Sequence, residues 1–417
     1  MSKLAILGGK PVFDRLPEYA AWPRGGEMEK EALLRVLRSG VWGTLGEENK
    51  NFSEKYAEYC HAKYALPVLN GTVSLELIFR ALGIGYGDEI IVPPYTFSAS
   101  VHSIALAGAM PVFADIDPET FTLSPESVRS KITPRTRAIL GVHLGGRPFD
   151  VDALRAIAEE HDIYLIEDAA HAHGSEWKGR RAGSLGKAGS FSFQASKILT
   201  TGEGGMCITS DKDLYDRMYS LKNCGRETYP GSPAMQSGNF RSNDFAAALG
   251  LAQLTRLDAQ NALRHENALY LEKELSQIPG LASLRRDDRI TNQTYFHFYM
   301  KLDLGQWRNV PRKYLTRAVK AELENSLEIR YPYDPLNASS LYHPFTKKTH
   351  MLGEAYQAAI DPARFDLPVC THVSKGGSFG FFHNHLLSDK QELDKIIAAF
   401  HKIHDNLDEL EQAAKNG

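Results

Sequence analysis

The feature that most limits the folds open to this chain is a series of short apolar runs separated by helical patterns. Residues 64–69, 89–93, 111–116, 138–143 and 164–168 each read as a strand, and 190–193 and 205–209 close the series. Helical spacing fills the gaps, for example over 75–82, before Gly108 and over 152–161. Continuous apolar strands alternating with helices predict an α/β fold with a mainly parallel sheet covered on both faces. In such a sheet, functional residues gather at the carboxyl ends of the strands. Thr72, Phe97, Asp168 and Ser192 all fall at or just after such ends.

The flanking segments add a second unit. Residues 27–39 carry Leu33, Leu34 and Leu37 on one helical face and stop at Gly40. The loop 41–46 that follows holds Trp42, either in a packed turn or at the lip of a substrate pocket. Residues 245–276 read as one long helical stretch. Beyond it, strand-like 296–302 mixes with helices over 310–325 and 390–412. With 417 residues there is material for a large domain over 1–255. A linker helix and a smaller α+β domain would then occupy 256–417.

The chemistry concentrates in two stretches. Ser190-Phe191-Ser192-Phe193-Gln194-Ala195-Ser196-Lys197 leads through Ile198-Leu199-Thr200-Thr201 into Gly202-Glu203-Gly204-Gly205, so one lysine sits among small residues and glycines. Upstream, Leu165-Ile166-Glu167-Asp168 puts an acid at a strand end, with His171 and His173 close behind. Lysine plus strand-end acid is the pattern pyridoxal phosphate requires, an amine for the aldehyde and a carboxylate for the pyridinium nitrogen. Small and apolar neighbours would lower the lysine's pKa. Taken singly, Lys197 also reads as a loop lysine, and Asp168 as a cap or structural ion pair. Gly71-Thr72, between a strand and a helix, reads as a phosphate site or as a plain helix start.

Composition removes other classes. A net charge of -3 gives no reason to expect nucleic acid or an anionic membrane as partner. No run approaches the ~18 apolar residues of a membrane span. The apolar start of the chain is too short for a signal peptide. The four cysteines are scattered, which points to a reducing, cytoplasmic setting with neither disulfides nor a zinc site. Phe381-Phe382-His383-Asn384-His385 lacks a third metal ligand nearby, so no metal is expected.

The run 168–174, Ser192 to Lys197 and Thr201 to Gly205 together resemble the DegT/DnrJ/EryC1/StrS family of fold-type I pyridoxal-phosphate aminotransferases acting on keto-sugars and keto-cyclitols. The likeness runs from about Trp22 to the final helices. Ala21-Trp22-Pro23 and Gly238-Asn239-Phe240-Arg241 bring it nearest the cyclitol and aminohydroxybenzoate-synthase branch. The resemblance implies Lys197 as the Schiff-base lysine and Asp168 as partner of the ring nitrogen. It implies Gly71, Thr72 and Ser192 as the phosphate cup and Phe97 as the stacking aromatic, although Phe97 also reads as a core residue. His171 would pack on the cofactor ring or contact its hydroxyl. Asn239 matches an asparagine lent to the neighbouring subunit's phosphate, which implies a homodimer with shared sites. Trp42, Tyr331 and His383 are candidate substrate contacts, as is Tyr333.

The activity implied is transfer of an amino group from glutamine or glutamate to a keto-sugar or keto-cyclitol, in two half-reactions at Lys197. Two alternatives stand beside it. One is dehydration and aromatisation of an aminoshikimate-type ring, as in aminohydroxybenzoate synthase. The other is a non-catalytic regulator on the same fold, which retention of both Lys197 and Asp168 argues against.

Overall fold

The structure is a computed structural model describing residues 3–13, 15–327, 329–330, 333–346 and 353–416. In chain order its strands are β1 (Tyr64–Val68), β2 (Glu89–Val92), β3 (Met110–Phe113), β4 (Thr136–Val142) and β5 (Tyr164–Asp168). Next come β6 (Glu176–Trp177), β7 (Arg180–Arg181), β8 (Ala188–Ser192) and β9 (Gly205–Thr209). The last four are β10 (Leu281–Ser283), β11 (Ile290–Asn292), β12 (His297–Leu302) and β13 (Ser378–Phe382). A seven-stranded sheet has the order β1-β9-β8-β5-β4-β2-β3. All neighbours in it run parallel except β9, which is antiparallel to both β1 and β8. The reason is local: the segment between β8 and β9 contains no helix to carry a crossover, so the chain doubles back and the lysine sits in the reversal.

Helices flank this sheet as the apolar spacing predicts. Glu27–Ser39 ends where Gly40 turns left-handed, at φ 69°. Gly71–Ala81 begins at Asn70, whose side chain accepts from the Val73 amide. The stretch 245–276 is two helices, Asp244–Leu254 and Leu257–Leu275. The Thr255 hydroxyl bonds back to the Ala252 carbonyl at 2.7 Å, a local bond that competes with continuing the helix. The stretch 390–412 likewise divides at Asn406, whose side chain donates to the Lys402 carbonyl.

There are two main cores. One surrounds the seven-stranded sheet. The other lies between the sheet β10-β12-β13 and the helices Leu257–Leu275, Arg312–Glu322 and Lys390–Asp405. Chain segments are exchanged between them: Leu4 packs into the second core, whereas Leu336, Phe365 and Cys370 pack into the first. Among the described residues, no helix is long and apolar enough to cross a membrane.

One buried acid shapes the end of β5. Glu167 is fully buried and lies in register between Gly141 of β4 and Gly189 of β8. Its carboxylate accepts from the amides of Gly183, Leu185 and Gly186, each at 2.6 Å, and bonds to His143 Nε2 at 2.9 Å. A carboxylate replaces all the partners it would have in water, so burial is tolerated. Glu167→Gln removes the charge and sets an amide against donors. It is expected to destabilise the protein by about 3 kcal/mol, read as a lower urea midpoint.

Candidate active site

The carboxyl ends of β1, β5 and β8 open into one cavity of about 1400 Å³, lined by Gly71, Thr72, Phe97, Asp168, His171, Ser192 and Lys197 among others. Most of the residues singled out from the sequence are thus brought together. Lys197 is buried, with its amine 4.5 Å from the centre of the Phe296 ring. Burial disfavours the charged amine and lowers its pKa to about 8, although the Asp168 carboxylate pulls the other way. An amine with that pKa is available as a nucleophile and base near neutrality.

Asp168 is also buried and has two partners. Ser100 Oγ donates to its Oδ2 at 2.7 Å, and the Ala170 amide donates to Oδ1 at 3.2 Å. Ser100 is bonded in turn to Thr96 Oγ1. These bonds fix the carboxylate's orientation while its lone pairs can still accept from a cation. Ser100 and Thr96 were not foreseen from sequence. The contact spans 68 residues, and a serine at a helix start reads locally as a cap.

The phosphate-like corner rests on close packing. Gly71 and Thr72 are the first residues of their helix, so their amides have no intrahelical acceptor. A Cβ on Gly71 would sit 2.9 Å from Ser192 Cβ, so glycine is what lets Ser192 approach this helix end. Behind Ser192, His173 Nε2 donates to the Ser192 carbonyl at 2.9 Å, and Tyr56 OH donates to His173 Nδ1 at 2.6 Å. Burial keeps this histidine neutral, with its pKa lowered to about 3.

His171 stacks on Phe296 at 4.2 Å, and its Nδ1 accepts from the Gly145 amide. The neutral ring therefore carries its proton on Nε2. Burial, reinforced by Lys197, holds the His171 pKa well below its ordinary value. Phe97 is half exposed and faces the cavity, outside the core clusters. Tyr333 and Arg330 also line the wall, and Arg330 lies 4.5 Å over the Phe382 ring.

Three other residues lie off this wall. Trp42 is about half exposed beside Phe245. Asn239 is exposed, its side chain accepting from the Arg241 amide. His383 is buried with Nε2 bonded to the Ser196 carbonyl at 2.9 Å. Tyr331 lies outside the described residues.

A parallel sheet, a buried lysine in the reversal before its one antiparallel strand and an acid at a neighbouring strand end define a lysine-centred α/β enzyme site. The chain belongs to the DegT/DnrJ/EryC1/StrS aminotransferase family, which its residues 23–376 match. It is 38% identical to the L-glutamine:2-deoxy-scyllo-inosose aminotransferase of Streptoalloteichus tenebrarius, over 96% of this chain and 97% of that one. The enzyme of the same name from Streptomyces fradiae is 37% identical, over 97% and 98% of the two chains. Among solved structures, 3-amino-5-hydroxybenzoic acid synthase superposes with a TM-score of 0.80 at 31% identity, covering 93% of this chain and 100% of that one.

The Lys197 environment makes a testable statement. A pKa lowered by burial means that the neutral amine accumulates as pH rises through about 8. Labelling of Lys197 in the apoprotein by an amine-selective reagent, followed by peptide mass spectrometry, is expected to reach half its maximal rate near there, against ~10.4 for an ordinary lysine.

Proposed function

We propose that the protein is a pyridoxal-phosphate-dependent aminotransferase carrying an amino group from glutamine to a keto-cyclitol in two half-reactions. The observation that carries this reading is the placement of a buried, readily neutralised amine and a buried, pre-oriented carboxylate in one cavity. The residues present fit the cofactor: an amine, an acid for a ring nitrogen, and a glycine-permitted helix start against a serine hydroxyl. When bound, pyridoxal phosphate supplies an aldehyde for the amine and a ring that draws electrons from the donor's α-carbon.

The chain's own groups do the rest. The Gly71 and Thr72 amides and the Ser192 hydroxyl would hold the phosphate at the helix dipole. Asp168, oriented by Ser100, would hold a proton on the ring nitrogen, and Phe97 and His171 would bound the ring's faces. Lys197 Nζ takes the donor's α-proton and delivers it again within the same site. Arg330, on the wall with Phe382 and Tyr333, is one of several cavity cations and is suited to the donor's α-carboxylate, since a guanidinium binds carboxylates in a planar, two-bonded fashion. Its charge adds to burial and Lys197 in holding His297 below the ordinary histidine pKa.

Glutamine as donor and an inosose-type ring ketone as acceptor are supported by near-complete coverage of relatives carrying that name. Asn239 and Trp42, exposed and off the cavity wall, suit a homodimer in which Asn239 serves the neighbouring copy's phosphate.

Two experiments test these assignments. Purified protein with pyridoxal phosphate is incubated with glutamine and 2-deoxy-scyllo-inosose, and in parallel with an aminodehydroshikimate. Amine formation from the first pair is expected, with a loss of roughly 100- to 10,000-fold in Lys197→Ala. Aromatisation of the second compound alone would instead establish the synthase-type reaction. Mixing Lys197→Ala with Asn239→Asp subunits is expected to recover up to roughly a quarter of wild-type activity through mixed dimers, each with one intact site. No recovery after confirmed subunit exchange would refute sharing.

A further inference from the structure

The backbone that carries Lys197 is held by side chains from two distant parts of the chain. Trp22 Nε1 lies 3.1 Å from both the Ala195 and the Lys197 carbonyl oxygens, so one indole N–H is shared between them. The carbonyl between them, that of Ser196, is bonded to His383 Nε2 at 2.9 Å. Consecutive carbonyls of 195, 196 and 197 are thus all engaged. The two holding rings also brace each other, edge to face at 4.6 Å.

Neither ring comes from the sheet that carries the lysine. His383 directly follows β13, and its amide donates to the carbonyl of Phe296, the ring under the lysine amine. The Trp22 segment is tied to the same region: Asn384 donates to the Ala20 carbonyl, and the Ala20 amide donates to Ser388 Oγ. Beside Trp22 lies Arg264, 5.3 Å from its ring centre and fully buried. Arg264 donates to Asn261, which donates to the carbonyl of His173, the residue behind Ser192. The supports of the lysine and of Ser192 therefore meet on the helix Leu257–Leu275.

We propose that Trp22 and His383 are positioning residues that keep the Lys197 amine over the reacting carbon when it is not bonded to the cofactor. The proposal rests on Lys197 being the anchoring base. In a two-stage exchange that lysine must give up its bond to the cofactor yet stay within reach to move a proton. The cavity wall, with the Phe296 ring at its side, and the lysine's own backbone then limit where the amine goes. Side-chain freedom alone would let four methylenes sample many positions, whereas a fixed backbone narrows the search. This also gives His383 a function while its Nε2 is occupied by a carbonyl and not by substrate.

The test uses the holoenzyme with Trp22→Phe, which keeps an aromatic ring but removes the indole N–H, and His383→Leu. Each is expected to lower kcat by up to ~100-fold while KM for glutamine changes by less than about twofold. The pH midpoint of the visible absorbance with bound pyridoxal phosphate is expected to shift in both. His383→Gln, which retains an N–H for the Ser196 carbonyl, is expected to recover most of kcat. Should His383→Leu fail to fold, Trp22→Phe and His383→Gln decide the matter by the same readouts. Folded variants with wild-type kcat and an unmoved pH midpoint overturn the clamp. A wild-type protein with no visible band on adding the cofactor overturns the lysine assignment itself, and wild type and Lys197→Ala are measured alongside to separate the two results.

Discussion

Withdrawing the Lys197 amine from water is the constraint on which the site depends. A charged ammonium at that depth is costly, and the nearby Asp168 carboxylate offsets only part of the cost. The balance leaves an amine that loses its proton readily, which is the state needed for bonding an aldehyde and accepting a proton. Among the described residues, no carboxylate besides Asp168 acts on the amine. Phe296 offers a ring face, His171 and His297 are kept neutral by burial, and the acid is occupied by Ser100 and a backbone amide. Had a surface carboxylate replaced Phe296, the lysine would be an ordinary ion-pair member.

The architecture delivers this environment through topology. Parallel strands bring β5 and β8 side by side, so Asp168 lies in register with Ser190 and the lysine loop leaves from the next residues. The reversal into β9 then returns the chain against β1, just ahead of the Gly71 helix start. Acid, amine and anion corner are consequences of one sheet order. The region of the sheet β10-β12-β13 adds Phe296, just before β12, His297 at its start and Arg330, which bridges to Gly380 of β13, as further parts of the cavity wall.

Much of this was legible in the sequence. The strands of the central sheet could be placed because each is a short apolar run bounded by glycine, proline or a helix. Thr72, Phe97, Asp168 and Ser192 could be placed together because they lie at or just after strand ends, and the resemblance added Gly71, His171 and Lys197; all seven line the cavity. What stayed hidden has a common cause. Ser100 on Asp168, Trp22 on the lysine loop and Arg330 on the wall are contacts across long sequence separations, and no local pattern marks them. The breaks at Thr255 and Asn406 were masked because apolar spacing continues through them, while single side chains bonding back to the preceding turn interrupt the helix. His383 illustrates the reverse problem: a histidine in a polar motif looks like a ligand or substrate contact, and its backbone partner is invisible in one dimension.

The glycine row around Glu167 carries a consequence for the length of β5. Adjacent residues of a strand face opposite sides, so Glu167 is turned into the scaffold and Asp168 toward the chemistry. Gly141 and Gly189 are the register partners of Glu167 on either side; the first leaves room for the Phe149 ring and the second for the Gly183 backbone. A residue deleted from β5 would carry Asp168 into the place of Glu167 under the loop 183–186, and an inserted one would put Glu167 where Asp168 now meets the cavity. In β5 the number of residues from Tyr164 to Asp168 therefore matters as much as their identity, because length alone decides which acid meets the cavity.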